Sequence, residues 1–198
     1  MEWHIRRKGE FYYKKAKELG YRSRSAFKLL EIQEKFRIIK NGNKVLDLGA
    51  APGGWSQIAS GLVGDAGRIV GVDIQPVPAT GKNFKFVLAD ITKESAIKKI
   101  SVVCNIFDVV LSDTAPTVSG FKDMDVGISE VLAFRSLELA QALLKEKGNF
   151  ICKIFQGKRF TEFVGQVEKV FLKVVVFKPS ASDKASKEVY VVALSKST

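Results

Sequence analysis

The sequence predicts an α/β protein, a doubly wound, mainly parallel seven-stranded sheet with one antiparallel C-terminal strand. Three observations carry this. Beyond Gly42, short runs of Val, Ile, Leu and Phe alternate with stretches of helical periodicity, the pattern of repeated strand–helix units. The runs are continuous rather than alternating, as expected of strands covered by helices on both faces. The last two runs, Phe171–Phe177 and Glu188–Leu194, are separated only by the polar stretch KPSASDKASK. That leaves no room for a crossover helix, so the two pair antiparallel.

In chain order, the first forty residues predict two helices broken near Gly20. Ser23 or Ser25 is expected to cap the second, in which Phe27, Leu30, Glu34 and Ile38 fall near i, i+3/i+4 spacing. Strands are predicted at Lys44–Leu48, Arg68–Asp73, Phe84–Leu88, Phe107–Ser112 and Asn149–Phe155, ahead of the final pair. Helices are predicted at Trp55–Leu62, Lys93–Ile100, Ser129–Lys147 and Arg159–Phe171. There is no internal repeat and no low-complexity linker. With 198 residues, 46% of them hydrophobic, the expectation is a single domain over 1–198, with 1–40 a basic, aromatic helical extension packed on it.

Charge narrows the partners. Thirty-two Lys and Arg against 21 Asp and Glu give a formal +11, which favours polyanions through counterion release. The basic residues concentrate in 6–44, interleaved with Phe11, Tyr12, Tyr13, Tyr21 and Phe27. Rings of this kind stack on bases while Lys and Arg hold phosphates, so RNA is the expected partner. No apolar run approaches the ~18–20 residues that cross a bilayer, and the N-terminus lacks a signal-peptide core. No membrane and a cytoplasmic location are therefore expected, with a monomer as the default. Cys104 and Cys152 lie beside or within apolar runs and are expected as buried thiols rather than a disulfide. His4 is the only histidine and no Cys/His cluster has ligand spacing, so neither a metal site nor histidine acid–base chemistry is expected.

The most informative stretch is DLGAAPGGW, Asp47–Trp55, directly after the first predicted strand and before a helix. Gly49, Gly53 and Gly54 suit a sharp turn and close approach of a ligand, and the helix N-terminus beyond is a positive end. A nicotinamide fingerprint requires G-x-G-x-x-G/A, but Ala51 occupies the second glycine position. The loop instead resembles the D-x-G-x-x-x-G of S-adenosylmethionine-binding proteins. Asp73 ends the second strand (IVGVD), where a carboxylate can accept from both ribose hydroxyls. Asp90 ends the third (FVLAD), where it can meet the adenine amino group. Asp73 alone would fit either cofactor; Asp90 at the next strand end favours the adenosyl ligand.

Four further polar residues fall at or near the same edge: Asp113 closing FDVVLSD, Lys153 inside FICKIF, Glu188 opening the last strand, and Lys28 in SAFKLLE. Lys and Glu are rarely buried without a partner. With these residues in view, RSRSAFKLLEI, DLGAAPGGWSQ, SDTAPTVSG, CKIFQG and SKEVYVV resemble, in order and from about Tyr12 to Leu194, the blocks of the FtsJ/RrmJ-type RNA ribose 2′-O-methyltransferases. The resemblance is strongest to the ribosomal branch, which modifies a uridine in the A loop of large-subunit ribosomal RNA. It implies a Rossmann-like S-adenosylmethionine-dependent methyltransferase fold, for which a parallel sheet ending in one antiparallel strand is the usual layout. It also implies a catalytic tetrad of Lys28, Asp113, Lys153 and Glu188. The family's cofactor contacts fall on Gly53, Trp55, Asp73, Asp90 and Asp113, and large-subunit ribosomal RNA or the large ribosomal particle itself is the implied partner. Thr114 and Thr117 depart from the family pattern and bear on the target nucleotide.

The chemistry implied is an in-line displacement at an activated methyl group, in which the protein mainly aligns the 2′-oxygen. Lys153 would act either as a neutral general base or as a charged stabiliser of the developing alkoxide. The first role requires burial and the Lys28 charge to outweigh Asp113 and Glu188. The competing readings are three: tRNA as the 2′-O-methylated substrate, methylation of a base or a protein side chain, and a non-catalytic RNA-binding or ribosome-assembly module. Amino-group methylases carry an N/D-P-P-Y/F block where this chain has SDTAP. A cysteine nucleophile would have to be Cys152, which strand alternation turns away from Lys153. A pure binder has no need of a lysine within a core strand.

Overall fold

The structure, a computed structural model, describes residues 2–116 and 121–197, and side chains throughout these except at 2–9 and 122. Thr117 lies outside the described residues. Seven strands form: β1 (Lys44–Leu48), β2 (Arg68–Asp73), β3 (Phe84–Leu88), β4 (Phe107–Ser112), β5 (Leu144–Phe155), β6 (Phe171–Phe177) and β7 (Glu188–Lys196). They make one sheet in the order β3-β2-β1-β4-β5-β7-β6. The first five strands pair with one another in parallel, and β7 runs antiparallel to both β5 and β6. β7 thus wedges between two strands that precede it in the chain. The chain reverses direction at β1, where β2 and β3 lie to one side and β4 onward to the other. Ligands of open α/β sheets bind in the crevice that such a reversal leaves at the strands' carboxyl ends.

The helices are α1 (Glu2–Glu18), α2 (Ala26–Phe36), α3 (Gly54–Val63), α4 (Ser95–Val103), α5 (Lys122–Leu143) and α6 (Phe160–Glu168). Side chains that alternate along each strand divide the core in two. Leu46, Leu48, Val72, Val110, Cys152 and Ile154 pack with Ile100, Leu137, Leu139 and Phe163 of α4–α6. Val45, Ile69, Val109, Leu111, Ile151 and Tyr190 pack with Leu29, Ile32, Trp55 and Ile58 of α2 and α3. Burial on both faces explains the unbroken apolar runs. Among the described residues no helix is long and apolar enough to cross a membrane.

Two local expectations change. The helix expected over Ser129–Lys147 starts seven residues earlier and stops at Leu143, and β5 begins at once with Leu144 beside Phe107. Register is lost over the exposed Lys145–Lys147 and regained at Asn149 opposite Val109, with Lys147 in the left-handed region at φ 59°. The charged run LKEKG therefore forms an irregular edge of the strand rather than a last helical turn. The serine cap of α2 does not form either. Ser25 precedes the helix with helical φ and ψ and makes no side-chain cap; its hydroxyl pairs with that of Ser23 at 2.8 Å.

Candidate active site

β1 is fully buried from Val45 to Leu48, and Asp47 is carried into the interior with it. One carboxylate oxygen, Oδ2, accepts from the Ser56 hydroxyl of α3 at 2.5 Å. The other, Oδ1, has no partner. Burial pushes the Asp47 carboxyl up to about 7, with the Asp113 and Asp73 charges adding to it and the Ser56 bond opposing.

The loop after β1 turns at Gly49, whose φ is 75°. A Cβ there would lie 2.8–3.0 Å from atoms of Thr114, so glycine lets the β1 and β4 loops touch. At Gly54 the crowding comes from elsewhere: an added Cβ would collide with Ser23 Oγ. The connection between α1 and α2 is therefore pressed onto the N-terminus of α3. Trp55 fastens the same junction, with its indole N–H donating to the Ser25 carbonyl at 2.9 Å.

At the carboxyl ends of the parallel strands opens a cavity of about 710 Å³, lined in part by Gly49, Ala51, Asp73, Ile74, Asp90, Ile91, Asp113 and Thr114. Asp73 is oriented by backbone amides: Ala51 N–H donates to Oδ2 at 2.9 Å and Gln75 N–H to Oδ1 at 2.9 Å. Asp90 accepts at Oδ1 from the Thr92 hydroxyl and amide, at 2.7 and 2.9 Å. These bonds hold its carboxyl below the usual range, with burial opposing and Lys93 assisting. Of the residues expected around a cofactor, Gly49, Asp73, Asp90 and Asp113 line this cavity. Gly53, Gly54 and Trp55 do not line it, and Trp55 is only 2% exposed.

At the β4 end of the cavity Asp113 and the three remaining sequence-predicted residues come together as two ion pairs. Lys153 is 5% exposed and donates from Nζ to Asp113 Oδ1 at 2.9 Å and to the Asp113 carbonyl at 2.8 Å. Lys28 donates to Glu188 Oε1 at 2.5 Å. Tyr190 joins the pairs: its hydroxyl donates to Asp113 Oδ1 at 2.8 Å, and Lys28 Nζ lies 5.7 Å from its ring centre, within cation–π reach. Burial pushes the Asp113 carboxyl up, but the Lys153 and Lys28 charges and the bonds from Lys153 and Tyr190 outweigh it and hold the group below its ordinary value. Burial, with the Asp113 and Glu188 charges, pushes the Tyr190 hydroxyl far upward, so it stays a donor. Cys152 faces the opposite core, and burial pushes its thiol up to about 12. It is not positioned as a nucleophile.

Three contributors were not singled out by sequence. Tyr190 sits in VYVV and passes for ordinary core. Arg22 lines the cavity and donates to the carbonyls of Pro78 and Ala79 at 2.6 and 2.7 Å, tying the α1–α2 connection to the β2–β3 loop. Arg135 of α5 donates to the carbonyls of Ile91 and Lys93 at 2.7 and 3.1 Å, bracing the turn that carries Asp90. Of the three, only Arg22 and Tyr190 lay in the quoted blocks, RSRSAFKLLEI and SKEVYVV, and neither was given a role there.

Comparison with known proteins gives the chain a family. The family described as FtsJ-like methyltransferase matches residues 21–196. The chain is similar to the ribosomal RNA large subunit methyltransferase E of Methanocaldococcus jannaschii, at 46% identity over 96% of this chain and 80% of that protein. It is similar to the protein of the same description from Desulfatibacillum aliphaticivorans at 43% identity, over 94% and 90% of the two chains. Among solved structures it superposes on a protein described as a ribosomal RNA methyltransferase from Plasmodium falciparum with a TM-score of 0.79. That alignment has 25% identity and covers 89% of this chain and 98% of the other. The chain belongs to the FtsJ-like methyltransferase family.

Proposed function

We propose that this protein transfers a methyl group from S-adenosylmethionine to a ribose 2′-hydroxyl of large-subunit ribosomal RNA, with an A-loop uridine as the expected target. We further propose that it acts as a monomer in the cytoplasm, as one domain over 1–198. The observation that carries the chemistry is the fixed Lys153–Asp113 pair at the edge of the cavity, with Lys28–Glu188 next to it across Tyr190. Names of relatives support the RNA class: those described above are large-subunit methyltransferases.

The residues present fit the cofactor. Asp73 is aimed by two backbone amides and would take the ribose hydroxyls, while Asp90 would take the adenine amine between Ile74 and Ile91. When bound, the cofactor supplies an electrophilic sulfonium methyl group. Asp113, ionised and lining the same cavity, would face that positive charge.

Alignment of the 2′-oxygen behind the methyl carbon is then the protein's main task. An ammonium has three N–H donors, and Asp113 takes two of those on Lys153. We assign the third to the acceptor oxygen, where it stabilises developing negative charge as the hydroxyl proton leaves to water. Lys28 and Glu188 hold the ribose from the other side.

The test is incubation of the protein with labelled cofactor and separated RNA fractions, followed by nucleoside mass spectrometry. A 2′-O-methyluridine gained only in large-subunit RNA is the expected result. A methylated base, or label confined to tRNA, overturns the assignment, and absence of any turnover would favour a binding role.

A further inference from the structure

The connection between β6 and β7, residues 178–187, is fastened to α2 by side chains that the mechanism above does not use. Glu31 lies one helical turn beyond Lys28, so the two project from the same face of α2. Its carboxylate accepts from the Ser180 amide at 2.6 Å, the Ser180 hydroxyl at 2.8 Å and the Ala181 amide at 2.9 Å. The turn continues with the Ser182 amide donating to the Pro179 carbonyl at 3.0 Å. This places Ser182, a polar residue only 2% exposed, with its hydroxyl donating to Glu188 Oε1 at 2.9 Å. Glu188 Oε1 also receives Lys28 at 2.5 Å. Among the described residues no donor reaches Glu188 Oε2, and that atom is not sealed from solvent.

A glutamate side chain has three rotatable bonds, and one ion pair to a lysine, itself flexible, does not fix which oxygen faces outward. A second, short-tethered donor on the same oxygen does. We propose that Ser182 is a positioning residue for Glu188. It pins Oε1 together with Lys28, so that Oε2 is presented to the ribose hydroxyl, and Glu31 sets Ser182 by holding the loop on α2. The inference rests on the role given to Glu188 above. It adds that the acceptor half of the site is adjusted from a loop that touches neither cofactor nor reacting atoms.

A double-mutant cycle tests it, with methyl transfer measured in single turnover at saturating cofactor and RNA. Ser182→Ala is expected to slow transfer about tenfold, the effect of one bond to a charged group, with cofactor affinity unchanged. In a Glu188→Gln background the same substitution is expected to add nothing, because its route of action is already gone. Glu31→Gln, which keeps the shape but removes the charge, is expected to act in the same direction and more weakly, and it serves if Ser182→Ala does not fold. Equal slowing in both backgrounds, or no slowing in the parent, overturns the proposal. If Glu188→Gln alone leaves the rate unchanged, the role of Glu188 fails first, and that outcome is distinct from a failure of Ser182.

Discussion

The two ends of the cavity hold their carboxylates in different ways. At the β2 and β3 ends, Asp73 and Asp90 are oriented by neutral donors close in sequence, the amides of Ala51 and Gln75 and the Thr92 amide and hydroxyl. At the β4 and β5 end, Asp113 and Glu188 are matched by lysines 40 and 160 residues away. A carboxylate held by loop amides keeps its charge uncompensated and available for a ligand's hydroxyls and amines. One matched by a lysine spends its charge on that lysine and fixes where the lysine points. The first arrangement suits recognition and the second suits orientation. Substitutions on the two sides should accordingly fail in different measurements.

The largest separation is expected from Lys153→Ala. Transfer should fall about 10²–10³-fold, the loss typical of one removed transition-state donor, while calorimetric cofactor affinity stays near the parent value. Retained turnover would take Lys153 out of the chemistry and collapse the distinction between the two ends.

Asp47 lies at the seam, where the charges of Asp73 and Asp113 both raise its carboxyl. Its folded value, about 7, lies above the ordinary 3.8, so the folded state binds its proton more tightly than the unfolded chain. This group's stabilisation is complete below pH ~4 and is lost as pH rises towards ~7, by an amount on the order of 4 kcal/mol at most. Denaturant midpoints of the cofactor-free protein should show that decline, and Asp47→Asn should flatten it. A parent and variant with parallel pH profiles would refute the buried carboxylic acid.

Asp73→Ala should weaken cofactor binding by about 10–100-fold, from the loss of charge-assisted bonds, with the rate at saturating cofactor altered far less. Unchanged affinity would remove the ribose assignment. The smallest expected effect is that of Arg135→Lys. It keeps the charge but loses the fork that spans the Ile91 and Lys93 carbonyls. A cost of about 1 kcal/mol in cofactor affinity is expected, with no change in RNA affinity.

This division also explains what could be read from the sequence. All seven strands were legible: both faces of the central strands are buried and Val, Ile, Leu and Phe dominate them, while the partly exposed edge strands β3 and β6 keep enough Phe and Val despite Lys85 and Lys173. Asp73 and Asp90 were legible as strand-end acids. Lys153 announced itself as a charge inside an apolar run, but only the fold places Lys28 beside Glu188. Tyr190 was invisible because a buried tyrosine in a strand is ordinarily packing. The glycines of the loop were legible as glycines but not in their causes: Gly54 is crowded by Ser23 and Gly49 by Thr114, contacts made by distant segments. The end of α5 was misplaced because LKEKG has good helix formers, and the pairing of Leu144 with Phe107 overrides local preference.

The insertion of β7 between β5 and β6 has a consequence for biosynthesis. β7 is translated after the other six strands of the sheet, yet it occupies an interior place in it and brings both Glu188 and Tyr190. Until it emerges from the ribosome, β5 has an open edge and β6 has no partner in the sheet. Lys28 and Asp113 likewise lack the residues that complete their pairings. The site that we read as modifying ribosomal RNA therefore cannot assemble on a partly made chain. Between the making of β5 and that of β7 the nascent protein carries an unpaired sheet edge, the kind of surface that pairs wrongly when it waits too long.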